Sequence, residues 1–290
     1  MVSEPKVAWG LAAELGEGPV WVERDCALWF VDIKKHQVHR FDPATGKKRS
    51  WQAPEQVGFL FPAQSGGFLA GLESGLFHFD DRSGAFELIA NVEADNPSTR
   101  LNDGVVDPRG RLWFGTMDNA EEAKSGAFYC FVDGRVEQTG IGGIAITNGP
   151  AVSPDGRLLY LVDTKARTIE SALIHDDGSL GQRRPFVTID AKDGHPDGPT
   201  VDDHGCLWIA LYGGWEARRY SPSGELLDKI RFPVANITKV ALGGGDLKTA
   251  FATTARQKVS AEEIAKQPQI GDLFEFRTDV PGLPSPLVRY

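Results

Sequence analysis

Cysteine is scarce in this chain. Cys26, Cys130 and Cys206 are the only three, far apart, odd in number and without a Cys-x-x-Cys pair. That excludes a disulfide framework and a thiolate metal cage. Each sits beside strand-forming residues and reads as a buried free thiol in a reducing compartment, with a nucleophilic thiol as the minor alternative. Long apolar runs are also missing. No stretch approaches the roughly 20 residues that span a bilayer. The start, Met1-Val2-Ser3-Glu4-Pro5-Lys6, lacks the apolar centre of a secretory signal. The expected address is therefore cytoplasmic, with no membrane partner. Positive charge is in deficit: 31 Lys and Arg stand against 40 Asp and Glu, a formal net charge of -9. Phosphate backbones require clustered cations, so nucleic acid is not an expected partner. No protein partner is implied either. The histidines at 36, 39, 78, 175, 195 and 204 form no His-Glu-x-x-His zinc motif. A Gly-x-Ser-x-Gly nucleophile elbow and a phosphate-binding P-loop are likewise missing.

What the chain does have is a phrase that returns. It reads Glu17-Gly18-Pro19-Val20-Trp21, Asn102-Asp103-Gly104-Val105-Val106, Asn148-Gly149-Pro150-Ala151-Val152 and Asp197-Gly198-Pro199-Thr200-Val201. With Gly18, Phe59, Gly104, Gly149, Gly198 and Val240 as phase markers, the steps are 41, 45, 45, 49 and 42 residues, within the range of propeller blades. Two units, around Phe59 and Val240, keep the strand and lose the acidic turn. Runs such as Leu28-Trp29-Phe30-Val31-Asp32, Leu112-Trp113-Phe114 and Leu207-Trp208-Ile209 are short, rich in β-formers and preceded by turns such as Pro154-Asp155-Gly156-Arg157. Trp21, Trp29, Trp113 and Trp208 read as core residues rather than sugar-stacking platforms. Gly and Pro are spread evenly, so no linker divides the chain. Only Ala261 to Gln267 reads as helix, an insertion near the end. The expected fold is an all-β, six-bladed β-propeller, one domain over residues 1–290. Ring closure is expected between Val7-Ala8-Trp9 and Pro286-Leu287-Val288-Arg289.

In a propeller, residues at one phase of the repeat converge on the central axis. Glu17, Asn148 and Asp197 share the position just before the glycine. They offer two carboxylates and one amide oxygen, a set suited to a hard or borderline divalent cation with positions left for water and substrate. Asn-Gly, Asp-Gly and Glu-Gly are also ordinary turn dipeptides, and the residues alone leave both readings open. Arg100 and Asn102 add a cation and an amide that suit a polyhydroxylated or anionic ligand, or else a surface salt bridge and a turn. Phase alone nominates Asp103, not Asn102, for the channel. His195, two residues before Asp197, is either a site residue or a solvated loop histidine.

These phrases, together with Leu15-Gly16-Glu17, Gly110-Arg111-Leu112-Trp113-Phe114-Gly115-Thr116-Met117, Thr147-Asn148-Gly149 and Pro196-Asp197-Gly198, resemble the SMP-30/gluconolactonase/regucalcin family over almost the whole chain, in order and spacing. Within it the chain looks most like bacterial sugar-lactone hydrolases of the xylonolactonase and gluconolactonase kind. The resemblance implies one divalent metal (Ca, Zn, Mg, Mn or Fe(II)) on Glu17, Asn148 and Asp197, and substrate contacts from Arg100 and Asn102. Some members use a glutamate soon after the Gly-Thr-Met phrase. Here Ala120 stands at that place, so Glu121 becomes the substrate-binding candidate, with Glu122 beside it.

The implied reaction is hydrolysis of an aldono-1,4- or 1,5-lactone to the aldonic acid, a pentonolactone slightly preferred, with Asp197 as general base. A metal-dependent hydrolase of phosphotriesters or aryl esters is one alternative. A non-catalytic propeller that binds a protein or a metal on its face is the other.

Overall fold

Strands of four to ten residues, rich in β-branched and aromatic side chains, account for nearly all the regular structure. The computed structural model describes residues 2–290. β1 (Lys6–Trp9) comes first. One sheet contains β2 (Gly16–Val22), β3 (Ala27–Asp32), β4 (Gln37–Asp42) and β5 (Lys47–Gln52). The next contains β6 (Val57–Pro62), β7 (Phe68–Leu72), β8 (Gly75–Asp80) and β9 (Ala85–Asn91). A third holds β10 (Thr99–Val106), β11 (Leu112–Asp118), β12 (Gly126–Val132) and β13 (Arg135–Ile144). A fourth holds β14 (Thr147–Val152), β15 (Leu158–Asp163), β16 (Thr168–Leu173) and β17 (Arg184–Thr188). The remaining strands are β18 (His195–Val201), β19 (Leu207–Tyr212), β20 (Glu216–Tyr220), β21 (Leu226–Arg231), β22 (Ile237–Gly243), β23 (Thr249–Thr254) and β24 (Leu273–Arg277). With β1 they form one eight-stranded sheet, in the order β1-β24-β23-β22-β18-β19-β20-β21.

The all-β propeller is as expected, but the blade count is not. Six separate blades were expected, and only four separate four-stranded blades form. The other strands are one continuous sheet, because β18 and β22 pair in parallel at Gly198 and Lys239. The cause is local. An added Cβ on Gly198 would lie 2.6 Å from the Lys239 side chain, so only glycine lets the two inner strands approach closely enough to bond. Ring closure is corrected as well. β1 pairs with β24, Val7 opposite Phe274. The C-terminal segment instead crosses to the second sheet, where Val288 bridges Ala63.

The recurring phrase has a single structural meaning. The register of each inner strand slips at it: between Glu17 and Val20, Leu101 and Gly104, Asn148 and Ala151, and Pro196 and Pro199. Such a bulge bends the strand and re-aims a side chain. It turns residues at one phase out of the alternating pattern and toward the axis, around which β2, β6, β10, β14, β18 and β22 follow one another.

The core lies between neighbouring sheets. Trp29, Trp113 and Trp208 are each 1% exposed, core residues as expected. Trp29 stacks on Trp51, centroids 5.1 Å apart, and meets Phe68 of the next sheet at 4.3 Å. Each indole N–H donates to an aspartate in the preceding turn: Trp29 to Asp25 at 3.0 Å, Trp113 to Asp107 at 3.0 Å and Trp208 to Asp202 at 2.9 Å. This lets a large ring be buried without an unpaired donor. The three cysteines are free, but only Cys130 and Cys206 are buried; Cys26 is exposed, in a left-handed turn after a short 3-10 helix. α1 (Ala261–Lys266) begins with a capping box between Ser260 and Glu263. Among the described residues no helix is long and apolar enough to cross a membrane.

Candidate functional site

At one end of the axis the bulges open into a cavity of about 430 Å³. Glu17, Arg100, Asn102, Glu121, Asn148 and Asp197 all line it, as does His195. They come from β2, β10, the loop after β11, β14 and β18. Residues far apart in the chain therefore share one wall because the inner strands share one axis.

The two carboxylates at the phase position are each half-engaged. Glu17 Oε2 accepts from the Gly18 N–H at 3.0 Å, and Asp197 Oδ1 accepts from the Gly198 N–H at 3.0 Å. One oxygen of each is left for the cavity. Both are buried, and burial is the largest cause pushing Glu17 up to about 8, with Asp103 adding to it. Asp197 is raised well above the usual carboxylate range, first by burial and then by Glu17. The site thus holds two carboxylates that resist being charged together.

Asn148 is oriented by a relay. The Thr164 hydroxyl donates to the Pro196 carbonyl at 3.0 Å, so its oxygen can only accept from the Asn148 Nδ2, 2.9 Å away. This fixes the amide, with Oδ1 turned toward Asn102 Nδ2 at 3.2 Å. Asn102 Nδ2 also donates to the Thr147 carbonyl at 2.7 Å, and Asn102 Oδ1 accepts from Arg100 Nη1 at 2.8 Å. Arg100 is 3% exposed, not part of a surface pair. Burial lowers its guanidinium to about 10, with Glu121 and Glu17 opposing. Glu121 lies at the cavity wall, both oxygens in use: Oε1 accepts from Gln257 Nε2 at 2.7 Å and Oε2 from Lys258 Nζ at 2.6 Å. His195 Nδ1 lies 3.2 Å from the Thr164 carbonyl and Nε2 lies 3.1 Å from Arg167 Nη2, so the ring donates to the first and accepts from the second.

Asp103 occupies the phase position that periodicity nominated for the channel, but it does not line the cavity. Its Oδ1 pairs with Lys239 Nζ at 2.6 Å, and its Oδ2 accepts from the Gly149 N–H at 2.9 Å. Asp103 is 1% and Lys239 6% exposed. Lys239 stands directly before the Val240 phase marker, so the degenerate last unit replaces the acid with a cation that neutralises Asp103. The same phase carried that signal, and it is the one sequence reasoning missed. In the second unit Gly58 takes the position, where an added Cβ would lie 2.4 Å from the Asn102 carbonyl. Thr164, Tyr212 and Gln257 had no sequence signal; they reach the cavity only through tertiary folding.

A propeller with converging bulges, buried oxygen donors and a polar cavity on its axis defines a class of axial-site β-propeller. Residues 15–256 match the profile described as the SMP-30/Gluconolactonase/LRE-like region, and the chain belongs to that family. It is 36% identical over 276 residues to a 6-deoxy-6-sulfogluconolactonase of Pseudomonas putida, covering 94% of both chains. It is 36% identical over 274 residues to an L-arabinolactonase of Azospirillum brasilense, covering 93% of this chain and 90% of that one. The crystal structure of a calcium-binding protein, regucalcin, from Agrobacterium tumefaciens superposes with a TM-score of 0.95 at 30% identity, covering 100% of this chain and 98% of that chain.

Proposed function

We propose that this protein hydrolyses a sugar lactone to its open aldonic acid, using one divalent cation on Glu17, Asn148 and Asp197. The observation that carries the reading is the joint placement of these donors with Arg100 and Asn102 in one axial cavity, in a family whose relatives include a sulfogluconolactonase and an arabinolactonase.

The residues fit an ion. Among the described residues no group of three His, Cys, Asp or Glu gathers as a metal cluster. The set here is two carboxylates and one amide, all oxygen, as a hard cation prefers. Neither nearby cation forms an ion pair with these two carboxylates. Lys239 is committed to Asp103, and Arg100 Nη1 to Leu101 and Asn102 oxygens. A calcium-binding relative agrees with this chemistry, and Ca, Zn, Mg, Mn and Fe(II) are all candidates. When bound, such an ion polarises the lactone carbonyl.

The side chains supply the rest. Asp197, held by the N–H of its own glycine, takes a proton from the attacking water. The water oxygen bonds to the carbonyl carbon, the ring carbon–oxygen bond breaks, and that proton passes to the departing ring oxygen. Arg100 and Asn102 hold sugar hydroxyls and orient the carbonyl, and Glu121 flanks them. Aldono-1,4- and 1,5-lactones both suit this cavity, a five-carbon lactone slightly favoured. The test is turnover of a panel of pentono- and hexonolactones by metal-stripped and remetallated protein. Activity that depends on a divalent ion supports the reading. Turnover of aryl esters or phosphotriesters with none of lactones would replace it.

A further inference from the structure

Gln257 sits on the segment between β23 and α1, at the cavity wall, beside the residues already described. Its backbone N–H donates to the Glu14 carbonyl at 2.8 Å, and its carbonyl accepts from the Tyr212 hydroxyl at 2.9 Å. Its side-chain Nε2 donates to Glu121 at 2.7 Å. The remaining polar atom, Oε1, is buried without a hydrogen-bond partner. Arg100 Nε is buried and unpaired in the same cavity. Two residues that line one polar pocket thus carry an unpaired acceptor and an unpaired donor just beneath its wall, and leaving such groups unmade is costly. A hydroxyl group can satisfy both kinds.

The amide is also held against flipping. Glu121 accepts only, so it selects the NH₂ end of Gln257, and Lys258 holds the other Glu121 oxygen at 2.6 Å. Glu121 and Lys258 both have backbone φ near +60°, at 64° and 60°, a conformation that residues with a side chain rarely adopt. Two strained residues that meet each other and fix a third suggest a constraint on the site rather than on packing.

We propose that Gln257 determines substrate specificity: its Oε1 accepts a hydrogen bond from a hydroxyl of the sugar lactone, and Glu121 is the positioning residue that aims it. The proposal rests on the lactonase reading and assigns it a second hydroxyl-reading element besides Arg100 and Asn102.

The test compares D-xylono-1,4-lactone with γ-butyrolactone, the same ring without hydroxyls. Gln257→Met should lower kcat/KM roughly five- to tenfold on the hydroxylated lactone and leave the plain lactone within about twofold. Its Tm should change little, because the lost hydrogen bond to Glu121 is offset by removal of an unpaired buried acceptor. Glu121→Ala should give the same split, while Glu121→Gln, which keeps an acceptor for the amide, should retain most of the selectivity. Equal losses on both lactones, or no loss on either, would overturn the proposal. If the wild-type protein turns over no lactone, the lactonase reading fails, and calorimetric binding of D-xylonate decides the inference separately. Weaker binding by Gln257→Met supports it. Equal binding, or none by the wild type, overturns it.

Discussion

Asp197, Asn148 and Asp203 separate the roles assigned at the residue scale. Asp197→Asn keeps one oxygen and removes basicity, so it should weaken metal binding and leave a rate defect at saturating metal. Asn148→Ala removes a neutral ligand, and excess metal should restore much of its turnover. Asp203 is exposed, its N–H bonded to Pro281, and Asp203→Asn should change neither quantity. Metal affinity and turnover at saturating metal distinguish the three. Normal turnover of Asp197→Asn would reduce Asp197 to a ligand. Thr164→Val tests the relay behind Asn148: with no oxygen to accept from Nδ2, the amide is free to turn, and metal affinity should drop roughly tenfold or more. Glu17, Asn148 and Asp197 were legible because each repeat places them at one phase. Thr164 was not, since a threonine after a strand carries no mark of what it will face. Asp103 and Asn102 show the limit of phase. Periodicity nominated Asp103 rather than Asn102 for the channel, yet it is Asn102 that lines the cavity, while Asp103 is buried in its pair with Lys239.

The inner-strand bulge is the element that builds this site. The glycine after each phase residue supplies the N–H that fixes the carboxylate, and at Gly18 and Gly149 the backbone has φ of 54° and 74°, which other residues adopt at a cost. Gly149→Ala would further place a Cβ 2.6 Å from Pro199 and should destabilise the protein by more than about 1 kcal/mol, measured by chemical denaturation. The Asp103–Lys239 pair joins two such bulges across the axis. Lys239→Met leaves Asp103 charged and buried and should cost about 3–5 kcal/mol, while the double variant with Asp103→Asn should recover most of that. A double variant no more stable than Lys239→Met would refute the pairing argument. The strands and tight turns were readable from β-rich runs and Pro-x-Gly signals. The merging of two strand sets was not, because one parallel bridge at Gly198 and Lys239 depends on how closely two distant strands approach.

For the whole molecule, the same axis that gathers the candidate ligands should make stability depend on pH. Glu17 rises from 4.5 to about 8 in the fold, so the metal-free folded state holds a proton that the unfolded chain has released. The corresponding stability is fully present below about pH 4.5 and is lost as pH rises through 8. Thermal unfolding of metal-free protein should therefore show Tm declining over that window, with a flatter profile in Glu17→Gln. An unchanged profile in Glu17→Gln would assign the decline to other groups. Closure of β1 onto β24 ties the two ends of the fold together, and we propose that residues 1–290 unfold as one domain. Limited proteolysis that releases two stable parts would contradict this. The central claim is that the oxygen-lined end of the axial cavity holds an ion without which lactone hydrolysis does not proceed. The direct measurement is turnover of D-xylono-1,4-lactone by exhaustively chelated protein titrated with divalent ions. Activity should be lost on chelation and return with one ion equivalent per chain in the wild type, and Glu17→Gln should need more metal for the same recovery. Full activity in metal-free protein would contradict the claim.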